Sequence, residues 1–129
     1  MDNKNLKYLI GTVILIGVII ISFPIYYAFS PDIANYNSRI EFNHIKWKEW
    51  QETEAAPSLR WDMTNDLIKK HKLKGLSITE ITDLLGEPDS KNKTEFRYYL
   101  GMSRHGIDTG SLILIIENAK IIDYKVWHG

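Results

Sequence analysis

The side chains that could do chemistry are most concentrated in the segment GMSRHGIDTG, residues 101–110. Ser103, His105 and Asp108 are the residue types of a hydrolytic triad, in which an imidazole takes the proton of the attacking hydroxyl. That mechanism requires the three side chains to converge in space, and neighbouring residues of one short loop rarely do so. We therefore interpret the segment as a partner-binding loop or as an ordinary connection between strands. The partner-binding candidates in and beside it are Tyr99, Arg104, His105 and Asp108.

Elsewhere the sequence matches no catalytic or metal-binding pattern. The chain contains no cysteine, which excludes disulfides, thiolate metal sites and cysteine nucleophiles. The four histidines do not have the H-x-x-x-H or H-E-x-x-H spacing of zinc sites. No glycine-rich phosphate loop and no G-x-S-x-G motif occurs. The sequence therefore predicts a protein without a metal, a cofactor or an enzymatic activity.

The charge balance argues against a nucleic-acid partner. The chain has 16 basic and 16 acidic residues, so no net field attracts a polyanion. The lysines of residues 69–74 fall at the end of a predicted helix, where cations complement the helix dipole. No aromatic residue interleaves them as a stacking platform for bases would require. We expect no nucleic acid among the partners.

The N-terminal region predicts a membrane helix. The 22 residues 8–29 carry no charge, and as a helix they would span roughly 33 Å, enough for a bilayer core. A cleaved signal peptide and a buried soluble helix are the alternatives. Lys4 and Lys7 lie in the tail of residues 1–7, and the next basic residue is Arg39. This asymmetry places the N-terminus in the cytoplasm and the remainder outside it.

Residues 30–57 are predicted as a juxtamembrane stalk, partly helical. The sequence from Ser38 to Glu54 lacks Gly and Pro, and residues 38–41 fit a capping box, so a helix is expected there. Trp47 and Trp50 could rest on the membrane surface or bind a partner. Alternatively, these tryptophans pack on the domain or only stiffen the stalk.

Residues 58–129 begin with two predicted helices. The first starts at Ser58, repeats apolar residues every four positions, and is expected to end at Gly75. The second follows in the segment LKGLSITEITDLLGEPD, residues 73–89. Ser77 and Glu80 form a capping box, Leu76 and Ile81 can form a hydrophobic staple, Gly86 ends the helix and Pro88 prevents its return.

Three strands follow the helices. Residues 94–100 alternate apolar and polar side chains, whereas residues 111–117 are apolar on both faces and so predict a central strand. After a tight turn, residues 120–127 form the last strand, with Ile122, Tyr124 and Val126 facing inward. The expected fold class is α+β: a membrane helix and stalk, then two helices packed on a three-stranded antiparallel sheet.

The order of these motifs resembles the BamE (SmpA/OmlA) outer-membrane assembly lipoproteins and the wider group of β-lactamase-inhibitor-like domains. The similarity covers about residues 60–127, through LKGLSITEITDLLGEPD, then YYLG, then SLILIIENAKI. It implies a non-catalytic domain in the bacterial cell envelope that binds or scaffolds another envelope protein. The uncharged residues 8–29 would anchor this domain in the lipid bilayer. A second hypothesis is a membrane-anchored inhibitor or immunity protein against a secreted toxin or enzyme, acting through the concave sheet face.

Overall fold

The computed structural model describes residues 2–29, 36, 38–104 and 108–129 of the chain. In these ranges the helices are α1 (Asn3–Phe29), α2 (His44–Glu49), α3 (Leu59–Lys70) and α4 (Ile78–Leu85). The strands are β1 (Ser90–Lys91), β2 (Glu95–Met102), β3 (Thr109–Glu117) and β4 (Lys120–His128). They form one antiparallel sheet in the order β1-β2-β3-β4. The predicted α+β class is confirmed.

The predicted count of three strands is wrong for the described residues. The additional strand is the two-residue β1, in which Ser90 pairs with Arg97 and Lys91 pairs with Phe96. The alternation of apolar and polar residues does not predict β1, because two residues are too few to show it. The predicted central strand is confirmed, since β3 pairs with β2 on one side and with β4 on the other.

Helix α1 is long and apolar enough to cross a bilayer, and it is the only such helix in the described part of the chain. Its span Asn3–Ala28 contains 26 residues, and none of its most apolar window is buried against the rest of the protein. At about 1.5 Å per residue, this length exceeds the hydrocarbon thickness of a typical bilayer.

Residues 38–57 pack against the residues that follow them. The N–H of Ile40 donates to the carbonyl of Asp62 at 3.0 Å, and the N–H of Phe42 donates to the carboxylate of Asp66 at 2.8 Å. The hydrogen bond from Phe42 lowers the pKa of Asp66, with Lys70 adding to the effect. Trp47 is fully buried in the core. The folded unit described below is therefore residues 38–129.

The helix in this region is shorter than the predicted Ser38–Glu54. Helix α2 has six residues and starts after Asn43, whose side chain accepts hydrogen bonds from the N–H groups of Ile45 and Lys46. Asparagine is one of the strongest N-cap residues. The chain before it is extended or turned, because Ile40 and Phe42 bond to α3 instead of to a helix of their own.

Helix α3 starts after Ser58 as predicted, but the role of the Ser58 side chain and the other end of the helix differ from the prediction. The Ser58 hydroxyl donates to the carbonyl of Met102 at 2.6 Å and makes no capping bond. The helix ends at Lys70, with His71 as the C-cap, so Gly75 does not end it. Gly75 has a φ of +94° in the turn that follows. The chain leaves the helix early because Leu73 is buried in the core.

Helix α4 forms as predicted. Ser77 accepts from the N–H of Glu80, and the Glu80 carboxylate accepts from the N–H of Ser77 at 2.8 Å. Hydrogen bonds from Ser77 lower the pKa of Glu80. Gly86 follows with a φ of +79°, and its carbonyl accepts from the hydroxyl of Tyr98 at 2.9 Å, which joins the end of α4 to the sheet.

The core lies between the helices and one face of the sheet. Leu112 and Leu114 of β3 are fully buried on this face. Tyr124 and Val126 pair with them from β4 and lie half-buried, as predicted. Ile122 does not face inward: it is 47% exposed, because a register shift opposite Ile115 and Ile116 leaves it without a partner on β3. The buried apolar cluster contains Trp47, Trp61, Met63, Leu67, Leu73, Ile81, Leu85, Phe96, Tyr98, Leu100, Leu112, Leu114, Ile116 and Ile121.

Candidate functional site

Two of the predicted partner-binding aromatics are held by Arg60. The guanidinium carbon of Arg60 lies 5.2 Å from the ring centroids of both Trp47 and Trp50. Its Nε donates to the carbonyl of Trp47 at 3.0 Å, and its Nη1 donates to the carbonyl of Tyr99 at 3.0 Å and to Asp89 at 3.1 Å. Arg60 is 7% exposed. A buried arginine bonded in this way stabilises the docking of residues 38–57.

Sequence reasoning missed Arg60. The residue lies in the first turn of a helix, off the stripe of Leu59, Met63 and Leu67, where periodicity treats an arginine as solvated. The available signal was the two tryptophans three residues apart, because flat aromatic rings are common partners of a guanidinium.

Tyr99 is half-buried and bonded within the domain. Its hydroxyl donates to the carboxylate of Glu52 at 3.0 Å, and its ring centroid lies 6.2 Å from that of Trp50. Burial raises the pKa of Tyr99, and the hydrogen bond to Glu52 raises it further. The indole N–H of Trp50 donates to the carbonyl of Ala56 at 2.7 Å. In this conformation Trp47, Trp50 and Tyr99 contribute to internal packing.

Of the three candidates in the loop, the structure describes Arg104 and Asp108. The predicted loop 101–110 is shorter, because β2 continues to Met102 and β3 starts at Thr109. The Arg104 guanidinium donates to the carboxylate of Asp62, which is 5% exposed, and this bond raises the pKa of Arg104. Asp108 is exposed, and its carbonyl accepts from the N–H of Ser103 at 2.7 Å. His105 lies outside the described residues.

A concave surface that the sequence did not predict runs between α3 and β4, and we name it the α3–β4 groove. It consists of one cavity of about 320 Å³ and a neighbouring cavity of about 270 Å³, and both are lined by Ile68. The first is lined by Arg39, Trp61, Thr64, Asn65, Ile68, Val126 and His128. The second is lined by Ile68, His71, Lys72, Leu73, Lys74 and Tyr124.

The groove exists because α3 packs over β2 and leaves the helix-side face of β4 partly uncovered. At the end of the groove, Trp61 lies directly on Gly110, where a Cβ atom would come within 2.1 Å of the indole. The indole N–H of Trp61 donates to the carbonyl of Gly101 at 2.8 Å. The contact with Gly110 and this hydrogen bond therefore fix the position of the Trp61 ring at the end of the groove.

Comparison with protein-family models, with curated proteins and with solved structures finds no match to this chain. The resemblance to the BamE family stays a prediction.

The lining of the groove combines apolar, polar and basic side chains. Its lining residues include Arg39, Lys72 and Lys74, and none of them is acidic. Lys74 forms an ion pair with Asp123 at 2.7 Å, and the hydrogen bond to Asp123 raises the pKa of Lys74. Across the described residues, no group of three or more His, Asp or Glu side chains is placed to hold a metal ion. The groove suits a neutral or acidic polypeptide segment with apolar side chains.

Proposed function

We propose that this chain is a single-pass membrane protein of the bacterial cell envelope whose folded domain binds another protein and performs no catalysis. The α3–β4 groove carries the proposal, because it offers a concave surface lined by both apolar and polar side chains on a domain attached to a bilayer-length helix. The order of motifs that resembles the BamE family supports the same role. A membrane helix here takes the place of the lipid-modified cysteine of those lipoproteins.

The proposed topology places the folded domain outside the cytoplasm. Lys4 and Lys7 lie at the start of α1, before its uncharged stretch of residues 8–29, whereas no basic residue occurs between the end of α1 and Arg39. A reporter that is active only outside the cytoplasm, fused after Gly129, is expected to be active in intact cells. Activity confined to a cytoplasmic reporter at the same position would overturn the topology.

Site-specific photo-crosslinking tests the binding role. A photoreactive amino acid replaces Asn65, which lines the groove, in the full chain expressed in its own membrane. The matched control carries the same group at Thr79, which is exposed on α4 and does not line the groove. We expect a discrete crosslinked protein from Asn65 and none from Thr79.

Absence of any product specific to Asn65 would refute the binding role of the groove. The identity of a captured protein also separates the two hypotheses. An envelope assembly protein supports the proposal, whereas a toxin or a secreted enzyme favours an inhibitor or immunity protein.

A further inference from the structure

The outer edge of β4 is already paired, over its first part, by the chain's own backbone. The N–H of Gly75 donates to the carbonyl of Ile121 at 2.7 Å, and the N–H of Ile121 donates to the carbonyl of Leu76 at 2.8 Å. Ser77 forms an antiparallel bridge with Lys120. Leu76 meanwhile packs against the core. This edge therefore accepts an extended segment whose side chains enter the space between helix and sheet.

The register shows which groups extend that edge. Gly129 N–H donates to the carbonyl of Thr109 at 3.0 Å, so the hydrogen-bonded pairs between β3 and β4 include Ser111 with Trp127. The pairs that alternate with these, Leu112 with Val126 and Leu114 with Tyr124, are not hydrogen-bonded to each other. The backbone N–H and C=O groups of Tyr124 and Val126 therefore point away from β3.

Part of this outer edge is available to an added strand. The N–H of Tyr124 donates to the carboxylate of Asp123 at 2.9 Å. Within the described part of the chain, no backbone hydrogen bond reaches Val126 or His128 from the outer side of β4. The carbonyl of Tyr124 points in the same direction, so the edge from Tyr124 to His128 offers both donors and acceptors.

The same stretch of β4 lines the groove. The side chains of Tyr124, Val126 and His128 lie on the helix side of the sheet: Val126 and His128 line the first cavity, and Tyr124 lines the second. A strand added beside them would alternate its side chains with the same period of two. Every second side chain would therefore lie against Ile68 and the neighbouring wall of α3.

The charges select the chemistry of the added strand. Arg39 and Lys72 line the groove, and none of the lining residues is acidic, whereas the third lining cation, Lys74, is paired with Asp123 outside the lining. Lys125 is exposed on β4 beside the open edge. A segment with acidic residues would complement these basic side chains, whereas a basic segment would be repelled.

We propose that an extended, acidic segment of a partner protein pairs with β4 from Tyr124 to His128 as an additional strand, with its apolar side chains in the α3–β4 groove. This deepens the proposed protein-binding function and rests on it. The backbone hydrogen bonds would provide affinity, and the groove would select the side chains.

A designed peptide tests the mode of binding. The probe is a fluorescein-labelled peptide of sequence Glu-Val-Thr-Val-Glu-Val-Glu, and its control replaces each glutamate with lysine. Binding to the full chain in detergent micelles is measured by fluorescence anisotropy. Hydrogen exchange followed by mass spectrometry then locates the protected backbone. We expect binding of the acidic peptide, at least about tenfold weaker binding of the lysine peptide, and protection of residues 124–128.

Val126→Pro is the decisive variant. Proline removes the outward N–H of an edge strand without breaking a bond to β3, a position where proline is tolerated. We expect the affinity to fall about tenfold from the lost hydrogen bond and the obstructing ring. Lys72→Glu provides an independent test and should weaken binding several-fold, with less effect at high salt. Lys93→Glu is the matched control, since Lys93 is exposed and does not line the groove, and it should bind as the native chain does.

Equal binding by the native chain and by a folded Val126→Pro variant would overturn the pairing. So would absence of acidic-peptide binding, or equal binding by both peptides. If the proline variant does not fold, Lys72→Glu and the exchange pattern decide the question. The photo-crosslink from Asn65 keeps the two proposals distinguishable. If a folded Val126→Pro variant gives the same crosslinked product from Asn65 as the native chain, strand pairing is overturned and the binding role remains. If Asn65 gives no crosslinked product in the native chain, the binding role itself is refuted.

Discussion

Truncating Trp47 should remove much of the stability of the folded domain, although this residue belongs to a segment that composition describes as a stalk. Trp47 is 0% exposed and belongs to the core cluster. Its ring also lies under the guanidinium of Arg60, 5.2 Å away. Replacing a buried tryptophan with alanine typically costs about 3–5 kcal/mol. Because domains of this size unfold with about 5–15 kcal/mol, Trp47→Ala should leave the domain marginal.

A second substitution distinguishes the stability that the packed ring contributes from the cost of its buried, unpaired N–H. The indole N–H of Trp47 is buried and makes no hydrogen bond to any described residue. Trp47→Phe keeps most of the ring area and removes the unsatisfied donor, so it should cost about 2 kcal/mol less than Trp47→Ala. Ile45→Ala is the control on the same helix: Ile45 is 52% exposed, and the change should stay within about 0.5 kcal/mol.

Urea unfolding of the full chain in mild detergent, followed by far-ultraviolet circular dichroism, measures these differences. The order of midpoints should be native and Ile45→Ala highest, Trp47→Phe intermediate and Trp47→Ala lowest. A midpoint for Trp47→Ala equal to that of Ile45→Ala would refute the docking of residues 38–57. Trp47 and its neighbours would then belong to a true stalk.

Three further measurements test other parts of the fold. Gly110→Ala would place a Cβ atom 2.1 Å from the Trp61 ring, so we expect a loss of about 1–3 kcal/mol in urea unfolding, and no loss would contradict the seating of this ring on β3. Ala119→Gly should raise the free energy of unfolding by several tenths of a kcal/mol, because Ala119 has a φ of +60° in a tight hairpin turn. A lower free energy of unfolding would contradict backbone strain at this position. Hydrogen bonds lower the pKa of Asp66 and Glu80 below the ordinary values of 3.8 and 4.5, so their contribution is present above those values and is lost as the pH falls through the lowered values. The melting temperature should accordingly fall between pH 7 and pH about 3, less so in Asp66→Asn, and an unchanged melting temperature would contradict these bonds.

Local signals explain the parts of the fold that the sequence predicted correctly. The capping box of Ser77 and Glu80 forms as expected because all its partners lie within four residues. The apolar run of residues 111–117 also predicted the central strand correctly, because a strand that is buried on both faces has a continuous run of apolar residues.

Long-range contacts account for the predictions that were wrong. Gly75 has the chemistry of a helix end, but α3 stops at Lys70 because the chain turns to bury Leu73. Ile122 follows the alternation of an ideal strand, but one register shift moves it to the exposed side.

The groove and the Arg60 cluster could not be predicted from spacing in the sequence. Arg60 contacts residues from Trp47 to Tyr99, and the groove joins Arg39 to His128. Such convergence depends on the packing of elements distant in sequence, and no local pattern encodes it.

Because Ile40 is already hydrogen-bonded to Asp62, the folded domain begins close in sequence to the end of α1, and this limits the distance between the domain and a bilayer. Only eight residues, 30–37, separate the end of α1 at Phe29 from the folded unit that starts at Ser38. Even fully extended, a chain of that length reaches about 30 Å. If α1 spans a membrane, the groove is confined to a thin layer beside it. A partner in the same membrane would then meet the groove at a high effective concentration, so that even weak intrinsic affinity gives substantial occupancy. A partner anchored elsewhere would need an extension that crosses the remaining distance.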